Sequence, residues 1–159
     1  MVQAGRSGVQ NIAEGSQASG TSKKTELKLV GVARASLEEL LRDYEDFLRQ
    51  RGLLLWDKNH PKSLEIRRIS SSYTSYLSYS SHQPPNRNMT YKTNRTDMTG
   101  RTNQYLPYLR SQESAANCLI CLLHQTNYLL DKQLERLEDD FVKNGGFTER
   151  LYNIRKNAR

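Results

Sequence analysis

Apolar residues recur at steps of three and four over two long stretches of the chain. In TSKKTELKLVGVARASLEELLRDYEDFLRQRG, the positions Leu27, Val30, Ala33, Leu37, Leu40 or Leu41, Tyr44 and Leu48 form one stripe. That spacing predicts an amphipathic helix over 22–51. Thr21 and Ser22 are residues suited to cap its start and Gly52 to stop it, although Thr25 rather than Glu stands three after Ser22, so the reciprocal capping box is absent. In the second stretch, SQESAANCLICLLHQTNYLLDKQLERLEDDFVKNGG, the stripe runs through Ala115, Leu119, Leu122, Thr126, Leu129 or Leu130, Gln133 or Leu134, Leu137 and Phe141. It predicts a helix over 111–143, stopped by Gly145 and Gly146. The run CLICLL puts apolar residues around most of that helix, so its first half is expected to be the more deeply buried.

Weaker patterns supply the remaining elements. MVQAGRSGVQNIAEG predicts a short helix over 2–14, with Val9, Ile12 and Ala13 facing inward and Gly15 as a left-handed stop, so that EGSQASGTS is a corner between two helices. Gly5 and Gly8 each cost roughly 1 kcal/mol against Ala inside a helix, which points to close helix approach or to fraying. Pro61 after Asn59 and His60 starts a helix over 61–74, with Ile66, Ile69, Tyr73 and Tyr76 at helical steps. From 75 to 110 the serine-rich run, Pro84-Pro85 and the polar residues beyond predict a flexible basic loop, and 147–157 a short tail helix. No alternating strand pattern and no internal repeat competes with a single all-α domain over 1–159. Two long amphipathic helices cannot bury their stripes alone, so a helical bundle is expected.

The chain has 159 residues, of which 36% are hydrophobic and 26% charged. Its apolar residues cluster in periodic blocks, which separates it from a disordered polyelectrolyte. No run approaches the roughly 18 apolar residues of a membrane helix, and MVQAGRSG lacks the apolar core of a signal peptide, so a cytoplasmic address without membrane association is the expectation. The net charge of +7 is unevenly spread. Residues 53–110 hold nine basic and three acidic side chains and so carry +6 of it, whereas 1–52 and 111–159 are close to balance.

Candidate chemistry is sparse. Cys118, Cys121 and His124 stand at i, i+3 and i+6, but residues six apart in a helix rise about 9 Å, too far to share a zinc bound at about 2.0–2.3 Å. Packing thiols are the better account, and no metal is expected. The three histidines are dispersed, and no phosphate-cradling glycine loop, nucleophile elbow or histidine–carboxylate motif occurs, so neither a catalytic residue nor a cofactor is assigned. Asn11 and Glu14, three apart, are placed to touch on one helix face, most simply as a polar corner.

The signal that does change the picture is basic and aromatic. Arg67, Arg68, Arg87, Lys92, Arg95 and Arg101 interleave with Tyr73, Tyr76, Tyr79, Tyr91, Tyr105 and Tyr108. Basic side chains hold phosphates and exposed aromatic faces stack on unpaired bases, which suits RNA or DNA with single-stranded character. The competing account is that the tyrosines pack on the bundle and the charge only solubilises it.

The block Asn11-Ile12-Ala13-Glu14-Gly15, followed by Ala33, Ala35, Ser36 and Glu39-Leu40, resembles the bacterial four-helix-bundle proteins named after the 23S rRNA intervening sequence. AANCLICLLHQTNYLLDKQLERLEDDF and GGFTERLY resemble the subgroup labelled "four helix bundle suffix domain". The resemblance covers 1–52 and about 111–155 well, and 53–80 loosely. It implies an antiparallel up-down four-helix bundle, homo-oligomeric as the pentamers of relatives are, with no enzymatic activity. It also implies a further helix ahead of Met1, and related accessory proteins bind nucleic acid and a reverse transcriptase. Two functions are therefore expected to compete. One is a nucleic-acid-binding protein that uses the residues just named. The other is an assembly module joining copies or a protein partner through Leu37, Leu41, Leu119, Leu122, Leu129 and Leu137.

Overall fold

In the computed structural model, residues 1–81 and 102–157 are described, the side chains of 72–81, Asn144, 147–150 and Asn153 excepted. The elements are α1 (Val2–Ala18), α2 (Lys23–Gln50), α3 (Pro61–Ser81), a 3-10 helix (Asn103–Arg110), α4 (Gln112–Asn144) and α5 (Phe147–Asn157). Among the described residues there is no strand, so the protein is all-α. They form two compact units: one comprises Met1–Asp43 and Leu123–Arg159, the other Tyr44–Leu122.

Local signals explain most helix ends. Ser22 caps α2, its Oγ accepting the Thr25 N–H at 3.3 Å and its carbonyl accepting the Glu26 N–H at 3.0 Å. Gly52, at φ +62°, closes the other end: the Leu53 N–H reaches Leu48 O at 2.9 Å and the Gly52 N–H reaches Arg49 O at 3.2 Å, the paired bonds of a Schellman stop. Ser111 Oγ accepts the Ser114 N–H at the start of α4, and Gly145, at φ +65°, follows its end.

Two helices run past their expected ends. α1 continues to Ala18, and Gly15 lies in the helix instead of stopping it. α3 continues to Ser81, its serine run containing neither Gly nor Pro to stop it. Ser70 and Ser71 Oγ both donate to Arg67 O, at 3.2 and 2.8 Å. Part of the expected loop is also ordered, as the 3-10 helix with Pro107 inside it. The rest, 82–101, lies outside the described residues.

In the first unit α1 and α2 pack antiparallel. Met1 N meets Asp43 at 2.6 Å, Ser7 Oγ meets Ser36 Oγ at 3.0 Å, and Gly15 faces Val30, so partner numbers fall as α1 numbers rise. The inward face of α1 is Ala4, Gly8 and Gly15; the expected Val9 is 68% exposed and Ala13 is exposed, with Ile12 half-buried. At Gly8 a small residue lets the backbones close: a Cβ built there would stand 2.8 Å from Leu37 Cδ2, whereas one at Gly15 would meet Leu29 Cβ at 3.4 Å, an ordinary contact. From α2, Val30, Ala33, Leu37 and Leu41 are buried here, as its stripe predicts.

α4 also runs antiparallel to α2. Arg34 Nε donates to Asp131 Oδ1 at 2.8 Å, Asn127 Nδ2 donates to Glu38 Oε2 at 3.3 Å, and Lys23 lies 3.6 Å from Asp140. Its buried side matches the expected stripe only in part. Leu123, Asn127, Leu130 and Leu137 are interior, whereas Leu129 is 52% exposed and Leu122 only half-buried. Leu130 and Leu137 keep to the expected stripe, while Leu123 and Asn127 take the inward places expected of Leu122 and Thr126; Glu38 satisfies the Asn127 Nδ2, and the Oδ1 is buried without a hydrogen-bond partner.

Gly31 lies in the interior of α2 with nothing within 4 Å of a built Cβ. Gly31→Ala is therefore expected to stabilise the fold by about 0.5–1 kcal/mol. Gly8→Leu, which must displace Leu37, is expected to destabilise it by about 1–3 kcal/mol. Urea unfolding of both variants checks the contrast; equal effects would contradict the close α1–α2 approach.

Candidate functional site

The basic segment belongs to the second unit, and a buried side chain sets where it starts. Asn117, 1% exposed on the second turn of α4, accepts the Trp56 N–H on Oδ1 at 2.8 Å and donates from Nδ2 to Leu54 O at 2.8 Å and Glu113 O at 2.9 Å. One amide thus satisfies two backbone groups of the non-helical stretch after α2, which otherwise has no ladder to join. Glu113 adds longer contacts, accepting from Trp56 Nε1 and the Leu54 N–H, each at 3.4 Å. Its charge also suits the first turn of α4. Trp56 then orders the start of α3: the His60 ring stacks on it at 4.9 Å and 9°, and Lys62 Nζ lies 5.1 Å from its centroid. Asp57 Oδ1 accepts the Asn59 N–H, and His60 Nδ1 and O accept from the N–H groups of Lys62 and Leu64, which caps α3 ahead of Pro61.

Trp56, Ile66, Tyr108 and Cys118 form the core of this unit, with Ile69, Tyr105, Cys121 and Leu122 packed against it. Three residues per turn in the 3-10 helix put Tyr105 and Tyr108 on one side, toward that core, and leave Leu106 and Leu109 about half exposed. Burial first, then a hydrogen bond to Glu65, hold the Tyr108 hydroxyl well above its ordinary pKa; burial raises Tyr105 too. Burial also pushes the Cys118 thiol up to about 11, with Cys121 adding to the shift. Tyr105 and Tyr108 are therefore packing residues. Among the described residues no three His, Cys, Asp or Glu side chains are grouped to hold a metal. A shallow groove of about 240 Å³ lies beside the core, lined by Lys62, Glu65, Gln104, Pro107, Tyr108 and Ser114.

The expected nucleic-acid contacts divide into three groups. Arg68 is exposed and Lys62 stands near it in sequence, also exposed. Arg67 is half-buried: its Nε donates to Ser63 O at 3.3 Å, and its Nη2 is buried without a hydrogen-bond partner, so it serves its own helix before any ligand. Tyr73 and Tyr76 lie on the backbone of α3, their side chains outside the described residues, as Arg87, Tyr91, Lys92, Arg95 and Arg101 are entirely.

The residues singled out near the first helix do structural work. Asn11 Nδ2 donates to Ser7 O at 2.8 Å and to Ser7 Oγ at 3.2 Å, while Ser7 meets Ser36 across to α2. Glu14 does not touch Asn11; it accepts from Gln10 Nε2 at 2.8 Å on the exposed side, and Glu39 is exposed as well. Among the assembly candidates, Leu37, Leu41 and Leu137 are buried within the chain, Leu119 and Leu122 are half-buried, and Leu129 is exposed. Asn117 was not singled out by periodicity, although a polar residue inside AANCLICLL is the signal that marks it.

No protein-family model, curated protein or solved structure matches the chain. Asn117→Ala is expected to lower stability by about 1–3 kcal/mol, chiefly by stranding the Trp56 N–H, and to red-shift the emission of Trp56, the single tryptophan. Emission and stability unchanged from wild type would contradict the clamp. Cys118, with its raised pKa, is expected to resist alkylation in the folded chain at pH 8, read by peptide mass spectrometry. Because its folded pKa lies above the ordinary 9.0, its contribution is present below pH 9 and lost as pH rises toward about 11; a Cys118→Ala variant should lose less stability over that window.

Proposed function

We propose that the protein is a non-catalytic antiparallel four-helix bundle that binds nucleic acid, holding phosphates along its basic segment between residues 53 and 110. One observation carries this. Among the described residues, Lys58, Lys62, Arg67, Arg68 and Arg110 have no carboxylate within ion-pair distance, and all but Arg67 are exposed. Among those residues the first unit has unpaired cations too, Arg6, Lys24, Lys28 and Arg136 beside the paired Lys23, Arg34, Arg42, Lys132 and Lys143, so what sets the segment 53–110 apart is its excess of nine basic over three acidic side chains. A cation without a carboxylate partner keeps its counterions, and releasing them to a phosphate is what drives salt-dependent binding. The antiparallel pairings of α1 with α2 and of α2 with α4, and the resemblance around Asn11–Gly15, support the bundle part of the proposal. Stacking on bases falls to Tyr73, Tyr76 and Tyr91, since Tyr105 and Tyr108 face the core.

Fluorescence anisotropy with labelled single-stranded RNA and DNA at about 50 and 200 mM salt tests this function. Binding at the lower salt with a steep loss at the higher is expected. Lys62→Ala with Arg68→Ala should flatten the dependence by about one log unit per lost phosphate contact. An unchanged slope would remove the start of α3 from the surface, and no binding at the lower salt would overturn the function.

Self-assembly or docking of a protein partner is a second function, favoured by the exposed aliphatic residues Val2, Val9 and Leu129. It predicts a wild-type particle larger than a monomer in sedimentation velocity, reduced by Leu129→Asp without unfolding. A monomeric wild type would count against homo-oligomerisation.

A further inference from the structure

We draw no further inference here: the strongest candidate, the outward aliphatic face of α1 formed by Val2 and Val9, is an unpartnered helix face, and nothing in the structure shows what covers it.

Discussion

Two helices can approach only as closely as the side chains between them allow, and in the first unit the tightest point is Gly8. With no Cβ at Gly8, α1 lies closer to Leu37 of α2 than an alanine would permit without Leu37 moving, while a Cβ at Gly15 would make only ordinary contact with Leu29 and Val30. The close approach in turn brings Ser7 within hydrogen-bond range of Ser36 and sets Asn11 to bind Ser7. It also turns Val2 and Val9 outward, against what their hydrophobicity suggests. Packing density outweighs the burial of two valines because many small van der Waals contacts along α1 are gained together.

Buried amides play the corresponding part on α4. Asn127 is held by Glu38, which is itself bound by Arg34, and Arg34 extends to Asp131; these charges are partly exposed and serve more to choose a register than to add stability. In the second unit Asn117 closes the backbone of Leu54 and Trp56, and Trp56 orders the start of α3 through His60 and Lys62. The cations of α3 thus depend on a neutral amide well separated from them in sequence.

The charge pattern and the packing pattern divide the aromatic residues between two roles. Tyr105 and Tyr108 lie at i and i+3 of a 3-10 helix, and the same spacing that makes them look like a stacking pair in a polar loop turns both into the core. Arg67 follows the same rule, bonding Ser63 O on its own helix, while Arg68, one residue on, stays exposed.

The two long helices were legible in the chain because a stripe of period 3.6, a serine cap and a glycine stop are local properties, carried by residues such as Ser22, Val30, Leu37 and Gly52. The extra turns of α3 were not legible, since a serine-rich run suits a loop as readily as a helix. Nor was the burial of Asn127 on α4, because that residue looks like a surface residue unless Glu38 faces its amide nitrogen. Periodicity and composition alone show which stretches are helical and that the positive charge gathers between 53 and 110. Packing, not periodicity, sets which face of α1 turns inward, which amides of α4 are buried and which basic residues lack a carboxylate, because all three depend on partners supplied by distant parts of the chain.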